Sequence, residues 1–129
     1  MKRDMDIVRE MLLKLEAWPM RMGDVVMMQP EHLAEVLPDH DLATINQHMN
    51  LIRQAGFIDT GGSGPAFGFA FKGLSWDGCE FLDSVRDPKI WRETKAAALK
   101  AGGVGLTLMA KLAIEMGKQE IKKHTGFDL

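Results

Sequence analysis

Apolar side chains recur at three- and four-residue spacings along most of the chain, which places them on one face of an α-helix. The spacing predicts helices over residues 3–16, 30–37, 40–55, 76–86, 88–100 and 104–123. The helix that ends at Gly56 has the most regular pattern, with a core-facing stripe of Leu42, Ile45, Met49 and Ile52. Asp39 and Asp41 supply N-cap chemistry for that helix, and Pro38 ends the one before it.

Three short segments have the composition of β-strands. Residues 25–28 form a brief apolar run, and residues 57–60 are strand-like. Residues 67–71 alternate aromatic with small side chains, as a half-buried strand does. A glycine-rich loop at residues 61–65 separates the last two segments, so the sequence predicts that they pair as a β-hairpin.

The order of these elements is helix, strand, helix, helix, β-hairpin and further helices. This order predicts an α+β, mostly helical protein with a winged helix-turn-helix domain over residues 1–86. Residues 38–41 would form the turn, residues 40–55 the recognition helix, and residues 57–72 the wing, with its tip at residues 61–65. Residues 87–129 would form a C-terminal helical extension.

Several separated motifs resemble those of one known family. They are the opening residues 1–6 (MKRDMD), the segment from His48 to Ile58 with its Ala55-Gly56-Phe57-Ile58 end, residues 73–83, and Arg86-Asp87 with Trp91. Together they resemble bacterial and phage proteins catalogued as domain of unknown function 2513, over nearly the whole chain. The resemblance implies a short protein associated with prophages or mobile elements, and it implies no activity. Residues 45–58 also resemble the third helix of bacterial winged-helix regulators, where it runs into the first wing strand.

Composition and charge narrow the function classes. The chain has 129 residues, 46% of them hydrophobic, and a net charge of −2. This composition is typical of a globular domain, and the charge is not that of a strongly basic nucleic-acid protein. Residues 39–85 carry two basic and six acidic side chains, whereas residues 86–129 carry nine basic and five acidic ones. Only the C-terminal third is therefore basic.

The predicted recognition helix has a polar face opposite its apolar stripe. Asparagine and glutamine can bond bidentately to adenine, and arginine to guanine, in the major groove. Lysine and arginine outside that helix would contact phosphate. The nucleic-acid-binding residues predicted from the sequence are Thr44, Gln47, Asn50, Arg53 and Gln54 on the helix, Lys72 in the wing, and Lys89 and Arg92 in the basic extension.

Two function hypotheses follow from this surface. The first is a DNA-binding transcriptional regulator whose partner is double-stranded DNA. The second is a protein–protein interaction module that has the winged-helix fold and does not bind DNA. The acidic residues around the predicted recognition helix favour the second, because phosphate contacts supply most non-specific affinity.

The sequence contains no catalytic motif. It has no phosphate-binding loop, dinucleotide fingerprint, catalytic triad motif or paired carboxylates, so we expect no enzymatic activity and no cofactor. His40 and His48 are eight residues apart on one helix, too far to share a metal ion, so no metal site is predicted. His48 is expected to make a local hydrogen bond, and Cys79 to be a half-buried core residue.

The remaining expectations concern location and assembly. The first residues have no continuous apolar segment of a signal peptide, and no apolar run is long enough to span a bilayer. With a single cysteine, these features predict a cytoplasmic protein without a membrane partner. The last helix has an apolar stripe of Leu108, Met109, Leu112, Ala113, Met116 and Ile121. This stripe would pack within the chain or against a second copy, and we expect a homodimer.

Overall fold

The computed structural model describes residues 2–61, 69–100 and 106–126. Within these ranges the chain is mostly helical with small antiparallel sheets, so the predicted α+β class is confirmed. The chain divides into two compact units, Met1–Cys79 and Glu80–Leu129. The division falls inside helix α4 (Trp76–Val85), whereas the sequence placed a boundary after residue 86, just beyond the end of that helix.

The first unit contains helices α1 (Met5–Glu16), α2 (Pro30–Val36) and α3 (Leu42–Gln54). Aspartate side chains fix the first residues of α1 and α3. The Asp4 carboxylate accepts a hydrogen bond from the Asp6 N–H, and the Asp41 carboxylate accepts one from the Thr44 N–H at 2.7 Å. These bonds satisfy N–H groups that the first helical turn leaves unpaired. The predicted capping of α3 by Asp41 is confirmed.

Among the described residues, four short strands form two antiparallel pairs. Strand β1 (Val26–Met28) pairs with β3 (Phe69–Phe71), and β2 (Ile58–Asp59) pairs with β4 (Gly73–Leu74). The predicted pairing of residues 57–60 with the aromatic run is therefore wrong: the aromatic run pairs with β1, and β2 pairs with the two residues that follow Lys72. Residues 62–68, which include most of the predicted wing tip, lie outside the described residues.

The split between the two pairings falls at Lys72, since β3 ends at Phe71 and β4 begins at Gly73. Gly73 has a φ of +142°, a backbone conformation that L side chains rarely adopt. The Lys72 N–H donates to the Asp59 carbonyl at 3.0 Å, which continues the β2–β4 pairing by one bond.

The core of the first unit lies among its three helices and the β1–β3 pair. α1 packs against α2, α3 and β4, and α2 packs against α3. Its largest fully buried side chains are Met11, Leu12, Leu15, Met28, Leu33, Leu37, Ile45, Met49, Ile52 and Phe71. The predicted apolar stripe of α3 requires one correction. Leu42 is 47% exposed, whereas His48 is 1% exposed and completes the buried stripe with Ile45, Met49 and Ile52.

Helix α4 begins against the β2 end of the first unit. Ser75 is its N-cap: the Ser75 hydroxyl donates to the Gly56 carbonyl and accepts from the Gly78 N–H at 3.0 Å. Gly78 is buried and lies directly on the backbone of Phe57. Cys79 is exposed, so the prediction that it belongs to the core is wrong. The buried positions of α4 are 78, 81, 82 and 85, and residue 79 lies about 100° around the helix from that stripe.

The second unit contains α5 (Pro88–Lys100) and α6 (Leu106–Thr125), which pack against each other. A hydrogen-bonded ion pair joins Lys89, near the start of α5, to Glu120, near the end of α6, so the two helices are antiparallel. Met109 and Ala113 of the predicted stripe are buried, Leu112 and Met116 are half-buried, and the side chain of Leu108 lies outside the described part. Ile121 is 45% exposed, because the packed face continues from Met116 through Gly117 and Glu120.

Candidate nucleic-acid interface

Helix α3 turns its polar side chains away from the core of the first unit. Its buried stripe spans Ile45 to Ile52, and the residues predicted to contact bases lie on its other sides. Among these residues Gln54 is exposed, and Thr44, Gln47, Asn50 and Arg53 are half-buried. The sides of α3 that face away from the buried stripe therefore present polar side chains, most of which are half-buried among their neighbours.

Two of the predicted base-contacting residues bond to each other. Arg53 Nη2 donates to Asn50 Oδ1 at 3.0 Å, across one turn of the helix. The bond holds the guanidinium group against the helix surface and fixes which way the Asn50 amide faces. The sequence placed both residues on one face and did not predict their mutual bond.

His48 anchors α3 from the opposite side. Its Nδ1 lies 2.8 Å from the Thr44 carbonyl oxygen, and its Nε2 accepts from the Asp4 N–H at 2.9 Å. Since the Thr44 carbonyl can only accept and the Asp4 N–H can only donate, the ring is neutral and carries its proton on Nδ1. The predicted local bond is confirmed. The bond to Asp4, 44 residues away, joins α3 to the N-cap of α1 and depends on tertiary packing that the sequence pattern does not specify.

The charge around α3 is mostly negative. Arg53 is the only Lys or Arg between residues 39 and 60, whereas Asp39, Asp41 and Asp59 lie in the same span. The hydrogen bonds from the Thr44 backbone N–H and then from its hydroxyl hold the pKa of Asp41 below its ordinary value. Asp41 is consequently ionised and engaged as a helix cap, and its charge lies at the N-terminal end of α3, away from Arg53 at the other end.

Lys72 lies between β3 and β4 and is exposed. A Cβ atom added to Gly61 would meet the end of the Lys72 side chain, at 2.8 Å from Cε, so the ammonium group lies over the Gly61 backbone. Gly61 itself follows β2, and its N–H donates to the Asp59 carboxylate at 2.9 Å. The structure thus brings Lys72 to Gly61, the one residue of the predicted wing tip that lies among the described residues.

Lys89 and Arg92 belong to α5 of the second unit. Arg92 is exposed, and Lys89 bonds to Glu120 of α6. The hydrogen bond from Lys89 holds the pKa of Glu120 below its ordinary value, and the same bond raises the pKa of Lys89. A phosphate contact by Lys89 would therefore have to compete with this carboxylate.

Replacing the lysine should release the carboxylate. We expect Lys89→Gln to raise the pKa of Glu120 towards its ordinary value, because the largest cause of its lowering is removed. The stabilisation from this bond is present above the Glu120 pKa of the unfolded chain and is lost as pH falls through its lower folded pKa. An NMR titration of the Glu120 carboxyl carbon would measure the change, with Arg92→Gln as a control that leaves it in place. An unchanged titration in Lys89→Gln would contradict the assignment.

Two other features, a metal site and a membrane-spanning helix, are not found among the described residues. Across residues 2–61, 69–100 and 106–126, no group of three or more His, Cys, Asp and Glu side chains is arranged to hold a metal ion. None of the helices in those same ranges combines the length and the apolar character needed to cross a membrane.

Comparison with known proteins gives two matches. A family model described as "Hypothetical protein (DUF2513)" matches residues 2–105. An uncharacterized protein of Haemophilus influenzae is 31% identical over 116 residues, which cover 85% of this chain and 88% of that protein. No solved structure matches the chain.

Proposed function

The chain belongs to the family described as hypothetical protein (DUF2513), and we propose that it is a non-enzymatic DNA-binding protein of the winged-helix type. In this proposal α3 is the recognition helix, and the protein regulates transcription in phages or other mobile elements. The resemblance of the sequence to this family supports the association with mobile elements. The residues of the first unit support the proposed DNA contact.

The strand pairing of the first unit carries the proposal. Strand β1, between α1 and α2, pairs with β3, which follows α3. Strand β2 follows α3 directly and pairs with β4. Helices α2 and α3 pack together across a five-residue connection. A second helix that follows a short turn and exposes polar residues is the arrangement with which helix-turn-helix proteins enter the major groove.

The cations that would contact DNA come from both units. Arg53 and Lys72 belong to the first unit, and Lys89 and Arg92 to the second. The acidic side chains near α3 repel phosphate. Arg53 is the one Lys or Arg of this helix, so it supplies a large share of the positive charge there that attracts DNA. We therefore expect moderate affinity at low salt that weakens quickly as salt is added.

Removing the Arg53 side chain should weaken DNA binding. We expect Arg53→Ala to lower the affinity for duplex DNA roughly tenfold, since both a charge and a base contact are lost. Fluorescence anisotropy with a labelled duplex would measure it, together with circular dichroism to verify folding. Lys14→Ala, at an exposed position of α1, removes a charge of the same sign outside the proposed interface and should bind nearly as the wild type does. Equal affinity of Arg53→Ala and wild type would count against α3 as the DNA-binding element.

The second candidate function is a protein-interaction module. Met22, Val25 and Met27 are at least half exposed and lie close together in sequence before and within β1. Exposed methionines are common on surfaces that bind partner proteins. With the acidic residues near α3, these side chains favour a protein partner. A chain that binds no duplex at low salt, yet loses a cellular partner on Met27→Glu, would support this candidate over the first.

We also propose that the protein is a homodimer through α6. Ile114 and Ile121 lie seven residues apart and are 43% and 45% exposed, so they share a face that α5 leaves open. We expect the Ile114→Glu/Ile121→Glu double variant to sediment as a monomer, because burying two carboxylates at the interface is costly. Gln119→Glu adds a charge on another side of α6 and should leave the dimer intact. A wild type that is monomeric at high concentration would contradict this part of the proposal.

A further inference from the structure

Asn50 and Arg53 form a preassembled pair on α3, with Arg53 Nη2 at 3.0 Å from Asn50 Oδ1. We propose that Arg53 specifies a guanine in the bound DNA and that Asn50 positions it. The inference rests on the proposed DNA binding and goes beyond it, because it assigns a base and divides the work between two residues.

The guanidinium group has donors to spare after bonding Asn50. It carries five N–H donors in a planar fork, and the bond to Asn50 uses one hydrogen of Nη2. Guanine presents two adjacent acceptors in the major groove, O6 and N7, which two parallel N–H groups of arginine can contact together. A fork held in place by Asn50 matches that pair of acceptors.

Asn50 is poorly arranged to contact adenine. A bidentate contact requires the asparagine oxygen to accept from adenine N6 while its amide nitrogen donates to N7. In the structure that oxygen faces Arg53 and already accepts a hydrogen bond from Nη2, so adenine N6 would have to share it with the guanidinium group. The amide hydrogens of Asn50 can still donate to an acceptor. They therefore favour guanine, or thymine O4, over adenine N6, which is itself a donor. The pair as a whole is therefore selective for guanine.

The hydrogen bond between Arg53 and Asn50 also lowers the entropic cost of ordering the arginine side chain on DNA. A free arginine loses substantial rotamer freedom when it contacts a base, and a side chain already restrained loses less. Arg53 is half-buried and tied to a residue one turn earlier, so part of this loss has occurred before binding. Removing Asn50 should thus weaken the guanine contact without removing the charge.

Selection from a library of random-sequence duplexes tests this assignment. The probes are the full chain as wild type, Arg53→Lys and Asn50→Ala, with Lys14→Ala as the control, and circular dichroism verifies that each is folded. We expect the wild type and the control to enrich a motif with a guanine at one fixed position. Replacing that guanine by adenine should weaken wild-type binding roughly tenfold.

The two variants separate charge from geometry. Arg53→Lys keeps the charge and loses the planar fork, so it should bind duplexes that lack the guanine as the wild type does and show a weaker guanine preference. Asn50→Ala should retain the preference at a several-fold lower level. If Arg53→Lys enriches the same guanine as strongly as the wild type does, or if the wild type prefers adenine there and Asn50→Ala abolishes that preference, the inference is wrong while DNA binding stands. If the folded wild type enriches no sequence and binds no duplex, the proposed function fails as well.

Discussion

Gly78→Ala is expected to destabilise the first unit strongly. Gly78 lies in the first turn of α4, and an added Cβ would lie 2.9 Å from the Phe57 carbonyl carbon, 3.1 Å from its Cα, and nearer still to its oxygen. These are backbone atoms, which cannot move aside as the end of a flexible side chain can. The same strand end accepts a hydrogen bond from Ser75 N, so shifting it disturbs the β2–β4 pair. We expect a loss on the order of 3 kcal/mol in the free energy of unfolding.

A second helical glycine supplies the matched control. A Cβ added to Gly117 of α6 would meet only Ile90 Cδ1, at 4.0 Å, an ordinary van der Waals distance. Alanine has the higher helix propensity by about 1 kcal/mol, so Gly117→Ala should raise stability. Urea unfolding followed by circular dichroism compares both variants with the wild type. A Gly78→Ala chain as stable as the wild type would show that α4 does not start against Phe57.

Removing the His48 side chain should destabilise the protein to a similar extent. His48 is 1% exposed and bonds both the Asp4 N–H and the Thr44 carbonyl. Alanine would leave a cavity in the core and an unpaired N–H at the N-cap of α1. We expect His48→Ala to lower the free energy of unfolding by about 3 kcal/mol and to loosen the position of α3 against α1.

His40→Ala is the control for this variant, because it removes a histidine from the same unit at a more open position. His40 lies 3.5 Å from the Glu10 carboxylate, and both side chains are partly accessible to water. Such pairs contribute less than about 1 kcal/mol. Chemical unfolding monitored by tryptophan fluorescence would rank the two variants. Equal losses in both would contradict the assignment of His48 as a tertiary anchor.

The helices were predictable because local chemistry determines them. The acidic cap at Asp41, the proline at the start of α2 and the three- and four-residue apolar spacing act within a few residues of each other. Every predicted helix occurs in the structure, with shifts of up to two residues at the ends among the described residues. Leu42 shows what apolar spacing leaves open. The spacing gives the direction in which a side chain leaves the helix, and not whether another element covers that side chain.

The sequence pattern did not predict which distant segments of the chain pair. The aromatic run pairs with β1 rather than β2, and neither this pairing nor the positive φ of Gly73 is visible in the residue pattern. Likewise the bonds from His48 to Asp4 and from Lys89 to Glu120 join residues 44 and 31 positions apart. The polar face of α3 could be predicted from spacing, whereas the bond between Asn50 and Arg53 requires knowledge of side-chain rotamers.

The central claim is that α3 binds duplex DNA, and one titration tests it most directly. Labelled duplexes, including the DNA upstream of the protein's own coding sequence, are titrated with the full chain at several salt concentrations and followed by fluorescence anisotropy. The account predicts saturable binding whose log affinity falls linearly with log salt, with a slope of about −2 to −4 per chain for the few cations proposed to meet phosphate. No anisotropy change for any duplex at the lowest salt concentration would contradict it.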